Sequence, residues 1–217
     1  AKNKLTELDT YVFIDVSNIR AACVRTLGFN IDFYKFLDYL RRKYPNLKNV
    51  YYHEGIARND SEKQAEFDKL RDTGYDIRSL ERKAYTEPPV YREVKCRNCK
   101  TKRRVQVLKR TTKLKSNVDV YLATDLLKLA YLITRPVRIL LAACDGDYAE
   151  MIKSALETNS NVRIEVLATP VVPRILKADG TYEDKNTCST RLQKLRRKLQ
   201  NFTMLDIGTI QDLIKQK

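Results

Sequence analysis

Short apolar runs alternate with segments of helical periodicity along most of the chain. Runs of strand length occupy residues 11–14, 49–52, 75–80, 137–143 and 162–167. Apolar residues recur at helical spacing between them, over residues 31–40, 61–74, 118–133 and 148–158. This alternation predicts right-handed crossovers and a mostly parallel, Rossmann-like sheet with helices on both faces. We therefore predict an α/β fold with three layers, α/β/α.

Two further segments complete the predicted architecture. The helix over residues 118–133 is apolar around most of its circumference, which predicts that it is largely buried. After residue 170, the pattern predicts a helix over 190–199, an edge strand over 202–207 and a short helix over 209–217. We expect one domain over residues 1–170, with an insertion at about 88–114 and an extension, 171–217, packed on the same domain.

Positive charge is concentrated in two segments of the 217-residue chain. The chain carries 42 Lys and Arg against 27 Asp and Glu, a formal charge of +15. Residues 91–115 contain eleven basic residues and one acid, and residues 185–198 contain six basic residues and no acid. Clustered cations bind polyanions because they release counterions from phosphates, although a solvated surface is the alternative. The candidate nucleic-acid contacts are Arg97, Lys100, Lys102, Arg103, Arg104, Lys109, Arg110, Lys113, Lys115, Arg191, Lys194, Arg196, Arg197 and Lys198.

The first basic segment predicts a β-hairpin that would hold phosphates. Residues 90–95 and 102–108 alternate in polarity, and the turn between them contains Cys96 and Cys99. A Cys-x-x-Cys spacing supplies half of a zinc site, whereas a closed site needs four ligands. Zinc binding would need further ligands, either Cys188 or His53 of the same chain or a second pair from another chain in a homodimer. Zinc binding and a plain turn with reduced thiols are both open at this point.

Four aspartates occupy positions that meet at one edge of the predicted sheet. Asp15 follows the first strand, Asp145 and Asp147 follow the strand 137–143, and Asp119 opens the helix leading into that strand. Carboxyl ends of parallel strands and the following helix starts line one crevice. Crowded carboxylates repel one another unless protons or cations intervene, and oxygen ligands suit Mg²⁺ or Mn²⁺. The pattern therefore predicts a divalent metal site.

Each aspartate also has a structural interpretation. Asp145 and Asp147 could cap the next helix, Asp15 could form a turn with Ser17 or Asn18, and Asp119 could stabilise a first helical turn. Capping does not require carboxylates from three elements to meet at one edge, so the group favours a metal site. Asp125 lies about 9 Å further along the helix than Asp119 and is expected behind the site, paired with a basic side chain.

Three runs resemble, in order, the signatures of the NYN domain family within the PIN-like ribonucleases. They are Phe13-Ile-Asp-Val-Ser-Asn-Ile19, Lys115-Ser-Asn-Val-Asp-Val-Tyr-Leu-Ala-Thr-Asp-Leu-Leu127 and Leu141-Ala-Ala-Cys-Asp-Gly-Asp-Tyr148. The resemblance covers roughly residues 11–168. It implies a PIN-like fold and a divalent-metal endoribonuclease with Asp15, Asp119, Asp145 and Asp147 as its catalytic and metal-binding acids and Asn18 as a supporting polar group.

The chain departs from the family pattern at a few positions. Val16 stands where glycine is usual, Ser116 and Asn117 replace the glycine before Val118, and Ala143-Cys144 replaces a serine-glycine pair. Every expected carboxylate is retained. No sequence feature reads the 2′-hydroxyl, so the residues alone do not distinguish RNA from DNA. RNA as the substrate is what the resemblance implies.

Other function classes fit the sequence less well. The single histidine, His53, cannot form a two-histidine acid–base site, and no phosphate-binding glycine motif occurs. Asp15 lacks the second aspartate that a haloacid-dehalogenase-type phosphatase needs after its first strand. A non-catalytic RNA-binding module of the same fold remains the alternative. No apolar run is long enough to cross a membrane and the five cysteines are odd in number, so we expect a cytoplasmic protein with reduced thiols.

Overall fold

The computed structural model describes residues 8–96, 98–172, 175–176, 182–183 and 188–216. Its strands are β1 (Asp9–Asp15), β2 (Leu47–Ile56), β3 (Asp76–Glu81), β4 (Lys83–Glu87), β5 (Val90–Lys95), β6 (Lys102–Leu108), β7 (Thr111–Lys115), β8 (Val137–Ala142), β9 (Val162–Ala168), β10 (Ile175–Leu176), β11 (Tyr182–Glu183) and β12 (Phe202–Asp206). Its helices are α1 (Val16–Leu27), α2 (Phe33–Lys43), α3 (Ser61–Thr73), α4 (Val118–Leu132), α5 (Tyr148–Thr158), α6 (Thr190–Leu195) and α7 (Gln211–Ile214), and a 3₁₀ turn spans Ile207–Ile210.

Six strands form one parallel sheet in the order β12-β9-β8-β1-β2-β3. All six residues of β8 are buried, because this strand lies inside the sheet with both faces covered. The chain order reverses at β1, which pairs with β2 on one side and with β8 on the other. The carboxyl ends of β1 and β8 therefore border the crevice expected at such a switch point.

Alternate residues of β2 show that helices cover both faces of the sheet. His53 faces α4, where its ring meets Tyr121 at 5.7 Å between centroids. Tyr52 points the other way, and its ring packs edge-on against Phe33 of α2 at 5.1 Å and against Phe67 of α3 at 6.1 Å. Because successive strand side chains point to opposite faces, this placement confirms the predicted three-layer α/β/α architecture.

Helix α1 is an element that the sequence pattern missed. Asp15 caps its start by accepting a hydrogen bond from the Asn18 N–H at 3.1 Å, and Gly28 ends it with a positive φ of 74°. Ser17 and Asn18 suggest a turn in the sequence, but Ile19 and Cys23 are buried four residues apart on the face that packs on the sheet. Tertiary burial outweighs the weak local propensity here.

Helix α4 is buried along one stripe only, so the expectation of a largely buried helix is wrong. Val118, Leu122, Leu126 and Ala130 form the buried stripe. Leu132 is 80% exposed, and Val120 and Tyr131 are also exposed. The helix lies flat on the outer face of the sheet, and no described element covers its other side. No described helix is long and apolar enough to cross a membrane.

The insertion forms a ribbon, which we call the arm, over residues 83–115. Strands β4 and β7 pair antiparallel at its root, and β5 and β6 pair antiparallel beyond them. The hairpin over β5 and β6 was predicted, whereas the pairing of β4 with β7 extends the insertion past the expected limits of 88–114. Every residue of β5, β6 and β7 is exposed. The two acids Glu87 and Glu93 are paired with Lys113 at 2.7 Å and with Lys102 at 3.2 Å.

The C-terminal segment joins the same sheet. Strand β12 pairs with β9 as predicted, and α7 packs against α2. Helix α6 ends at Leu195, shorter than the expected 190–199, and its buried residue Leu192 lies on the face toward α5. The division of the chain at residue 170 stays a prediction.

Candidate active site

The carboxyl edge of the sheet places the predicted aspartates on neighbouring elements. Asp15 is the last residue of β1, and Asp145 and Asp147 follow β8, whose Ala142 pairs with Ile14 of β1. Asp119 lies in the first turn of α4. The charges of Asp119 and Asp145 both act on Asp15, which is consistent with their common location.

Asp15 is a buried acid held by two hydrogen bonds. It is 8% exposed; the hydroxyl of Tyr148 donates to its Oδ2 at 2.7 Å, and the Asn18 N–H donates to its Oδ1. Burial raises the pKa of Asp15 above its usual value of 3.8, the repulsion from Asp145 and Asp119 adds to this rise, and the two hydrogen bonds oppose it. The carboxylate form of Asp15 is therefore costly in the absence of a nearby cation.

Asn18 connects the ends of the two central strands. Its side-chain Oδ1 accepts a hydrogen bond from the Cys144 N–H at 2.7 Å, while its own N–H donates to Asp15. One residue thus ties the start of α1 to the loop that carries Asp145. This contact supports the predicted positioning role of Asn18, which works through the backbone on both sides of the crevice.

Asp145 and Asp147 border an open polar cleft of about 400 Å³. The Oδ1 of Asp145 accepts a hydrogen bond from the Asp147 N–H at 3.0 Å, whereas Asp147 makes no side-chain cap to α5 although it stands at the N-cap position. Asp147 lies 3.6 Å from a guanidinium nitrogen of Arg191 at the start of α6. The capping interpretation therefore does not hold for the side chain of Asp147. Asp15, for which a turn with Ser17 or Asn18 was the structural interpretation, does bond Asn18, and in doing so it caps α1.

The donor chemistry of this edge fits a hard divalent ion. Asp15, Asp119, Asp145 and Asp147 offer carboxylate oxygens, the ligands that Mg²⁺ and Mn²⁺ prefer. Asp15 already accepts hydrogen bonds on both oxygens, and Asp119 makes no side-chain hydrogen bond or ion pair with the residues that the structure describes. Among the described residues, no three His, Cys, Asp or Glu side chains stand as a ready-made ligand group. Metal binding by these four acids stays a prediction.

Asp125 has the basic partners that its burial requires. Its Oδ2 lies 3.3 Å from His53 Nε2 and 4.0 Å from Arg78 Nε. Burial lowers the pKa of His53 more than Asp125 raises it, so the imidazole is neutral and its Nε2–H donates to the carboxylate. The expected pairing with a basic side chain is confirmed, and a supporting role in the acidic site stays a prediction.

The predicted nucleic-acid contacts lie on two exposed segments that flank the edge. The contacts of the first segment, except Arg97, are exposed on the arm, and Arg97 lies outside the described residues. Arg191, Lys194, Arg196, Arg197 and Lys198 are exposed on α6 and the turn after it. Ser189 links this second segment to the acidic loop, because its N–H donates to the carbonyl of Cys144 at 2.9 Å. Binding of RNA by these residues stays a prediction.

Cys96 and Cys99 are exposed free thiols in the turn of the hairpin. The Lys100 N–H donates to the Cys96 carbonyl at 3.1 Å, and Lys100 has a φ of 60°. Hydrogen bonds from Thr101 and from Cys96 lower the pKa of Cys99 to about 7. Within the described parts of the chain, no third metal-ligating side chain joins this pair, so zinc binding stays a prediction.

Sequence reasoning missed two partners of the site. Tyr148 follows the last acidic motif directly, but nothing in the sequence indicates that its hydroxyl reaches across to Asp15. His53 is fully buried with Asp125 as its partner, and the sequence did not indicate that these two side chains meet. Tyr148 and His53 are both buried, and each contacts an acid that the sequence analysis identified: Asp15 for Tyr148 and Asp125 for His53.

The solved structures that match this chain share little of its sequence. A protein of unknown function from Vibrio parahaemolyticus is 17% identical, with a TM-score of 0.54, and the match covers 93% of this chain and 94% of that one. Phosphofructokinase-2 from Escherichia coli is 11% identical with a TM-score of 0.33, covering 75% of this chain and 54% of that one. Among curated proteins none matches the sequence significantly.

The NYN domain profile matches residues 9–183, from the first residue of β1 to the end of β11. This span contains all three runs on which the sequence resemblance depends, together with the strands and helix starts that carry the four aspartates. The match confirms the predicted relationship over most of the chain. The chain therefore belongs to the NYN domain family, a family of PIN-like nucleases.

Proposed function

We propose that this protein is an endoribonuclease that hydrolyses RNA phosphodiester bonds with Mg²⁺ or Mn²⁺ at the carboxyl edge of its sheet. The single observation that carries the proposal is the placement of Asp15, Asp119 and Asp145 on three elements that meet at this edge. Capping does not account for their common location, since of these three acids only Asp15 is an N-cap whose side chain accepts a hydrogen bond from its helix.

Asp15, Asp119, Asp145 and Asp147 would hold the ion. A divalent ion supplies a bound water of lowered pKa and neutralises charge that grows on the phosphate oxygens. Tyr148 and the Asn18 backbone fix both oxygens of Asp15, while Asn18 Oδ1 fixes the loop that carries Asp145. These contacts hold two of the acids at defined positions before substrate binds, which lowers the cost of reaching the reactive arrangement.

The basic segments would bind the RNA backbone. The arm carries most of the excess charge of the chain, and Arg191 brings the second basic segment beside Asp147. Contacts to phosphates position a strand without reading its bases, so they predict weak sequence preference and strong salt dependence. A cytoplasmic location and a homodimer are further predictions that accompany this proposal.

A cleavage assay on circular single-stranded RNA tests the proposal, because only an endonuclease can open a circle. We expect linear products with Mn²⁺ or Mg²⁺, and none with EDTA or with the Asp145→Asn variant. Asp212→Asn is the matched control, since this acid lies exposed on α7 and should leave cleavage unchanged.

Two outcomes would contradict the proposal. Equal cleavage by the wild type, by Asp145→Asn and in EDTA would identify a contaminating nuclease. RNA binding by the wild type without cleavage under any metal condition would instead favour a non-catalytic RNA-binding module of the same fold.

A further inference from the structure

A second cleft lies at the root of the arm, beside the acidic edge. It encloses about 600 Å³ and is lined by the end of β3, by β4, by Lys115 of β7 and by Ser116 and Asn117. Asn117 is the N-cap residue of α4 and stands two residues before Asp119. The cleft therefore lies between the root of the arm and the start of α4, the helix whose first turn carries Asp119.

The walls of this cleft combine apolar surface with two cations and one acid. Leu80, Ala84 and Tyr85 supply the apolar part, Lys83 and Lys115 supply the positive charge, and Glu81 supplies a carboxylate, so the charged groups of the lining sum to +1. Such a mixture is typical of sites for small ligands, which have an apolar body and a few placed polar groups. A site for phosphate alone would need only the cations, whereas a nucleotide has both a flat base and a charged phosphate.

Tyr85 is an exposed aromatic residue of this lining, with a lysine ammonium over one face of its ring. The residue is 50% exposed, and the ammonium of Lys115 lies 5.0 Å from its ring centroid. Lys83 and Lys115 are paired across β4 and β7, so both project from the same face of the ribbon as Tyr85. Lys115 is 4.0 Å from Glu87, which bonds Lys113 more closely at 2.7 Å. The charge of Lys115 is therefore largely available to a ligand.

The backbone at the root of the arm is tightly packed around this cleft. A Cβ added to Gly55 would overlap the hydroxyl of Ser116 and would come within 3.0 Å of Arg82 Nε. The Arg82 N–H also donates to the carbonyl of Ile56 at 2.7 Å. These contacts fix β4 and the segment before α4 to the end of β2, so the cleft is held by the sheet rather than by the arm alone.

We propose that this cleft binds one nucleobase of a single-stranded RNA next to the cleaved phosphate. Tyr85 stacks on the base, and Lys83 and Lys115 contact the adjoining phosphates. This inference rests on the proposed function for the identity of the ligand, and it assigns Tyr85 as a binding residue. Stacking is available to every base, so the subsite requires a base at that position without selecting its identity.

The test measures binding and base stacking without cleavage, using the full chain with Asp145→Asn. The probes are a single-stranded RNA with 2-aminopurine at successive positions and the same RNA with an abasic residue at those positions. We expect quenched fluorescence at one position, and about 5- to 100-fold weaker binding of the RNA that is abasic there, as found for loss of one stacked base. Tyr85→Ala should abolish the position-specific quenching and weaken binding of normal RNA to a similar extent.

Matched variants separate stacking from folding and from charge. Tyr85→Phe should bind within about twofold of the parent because it keeps the ring. Tyr34→Ala removes a ring of similar exposure on α2 and should change nothing. Lys115→Met should lower the slope of log affinity against log salt by about 0.7, whereas Tyr85→Ala should leave that slope unchanged.

The outcomes distinguish this subsite from the nuclease proposal. If RNA is cleaved but the abasic residue weakens binding at no position, the subsite is wrong and the nuclease proposal stands. Equal affinities of Tyr85→Ala and its parent would also overturn the subsite. If the base stacks in a Tyr85-dependent manner and no RNA is cleaved with any metal, the nuclease proposal is wrong and the binding site stands.

Discussion

Replacing Tyr148 by phenylalanine tests how the fold holds a buried carboxylate at the candidate site. The hydroxyl of Tyr148 donates to Asp15 Oδ2 at 2.7 Å, and the two residues are 3% and 8% exposed. A hydrogen bond to a charged group contributes about 1.5–3 kcal/mol to stability. Because 1 kcal/mol shifts the Tm of a chain of this size by about 2–4 °C, we expect Tyr148→Phe to melt roughly 3–12 °C below wild type at neutral pH in EDTA.

The pH dependence of this deficit follows from the pKa of Asp15. Burial raises that pKa above 3.8, and the hydrogen bond from Tyr148 holds it lower than burial alone would. Charged Asp15 therefore destabilises the fold above its raised pKa, and this cost disappears as the pH falls through that pKa toward 3.8. Tyr148→Phe lacks the hydroxyl that stabilises the charged carboxylate of Asp15. Its loss of stability relative to wild type should therefore be largest near neutral pH and should shrink in acid.

Thermal and urea unfolding across this pH range, in EDTA, measure the effect. Tyr131→Phe is the control, because it removes a hydroxyl that lies 2.8 Å from Ser154 on the exposed surface, and it should change stability by less than about 0.5 kcal/mol. If Tyr148→Phe is as stable as wild type at neutral pH, or keeps the same deficit below pH 3.8, Asp15 is not a hydrogen-bonded carboxylate in the folded chain.

Three further predictions concern the acidic loop and the arm. Gly146→Ala should lower stability by about 1–3 kcal/mol and weaken RNA binding, because its Cβ would overlap the Ser189 hydroxyl and displace the start of α6; urea unfolding and RNA titration measure the two effects. Cys99 should react with iodoacetamide with a rate midpoint near pH 7, since hydrogen bonds lower the pKa of its thiol to about 7. Joint replacement of Lys102 and Arg104 by alanine should reduce the salt slope of RNA binding by about 1.4.

Controls for these three use residues with matched chemistry elsewhere. Gly28→Ala should cost about 1–2 kcal/mol through its positive φ of 74° alone and leave RNA affinity intact, since nothing lies within 4 Å of the added Cβ. The buried thiol of Cys23 should stay unreactive in the native chain, because burial raises its pKa. Lys153→Ala on α5 should leave the salt slope of RNA binding unchanged. A slope for the Lys102 and Arg104 double variant equal to that of wild type would refute the proposed phosphate contacts.

The parallel sheet and the location of the acids at its carboxyl edge could be predicted from the sequence because they depend on long-range rules of parallel sheets. Apolar runs mark β1 and β8. Right-handed crossovers place the carboxyl ends of both strands at the same edge of the sheet, and this placement does not depend on the side chains at those ends. Asp15 and Asp145 could therefore be assigned to one edge without coordinates. The three motifs that indicate the NYN family reinforced this assignment at the same positions.

The features that could not be predicted from the sequence depend on single side-chain contacts and on the burial of segments whose hydrophobic pattern is weak. The helical face of α1 is broken by Ser17 and Asn18, whose local preferences suggest a turn. The sequence of helix α4 is apolar on nearly all sides, yet residues such as Leu132 are exposed because the helix lies in an outer layer of the fold. The periodicity of a helix does not indicate the layer in which it lies. The reach of Tyr148 to Asp15 depends on where α5 packs, and no local pattern encodes that.

The two carboxylates of the arm have a consequence for catalytic turnover. Lys102 and Lys113 each already have an anionic neighbour, so a phosphate that binds them gains only the difference between two attractions. If RNA binds the arm as proposed, Glu93 and Glu87 would pair with these lysines again when a strand leaves, which would lower the barrier to its dissociation. Competition of these carboxylates with the substrate would then favour release of the cleaved fragments over tight binding.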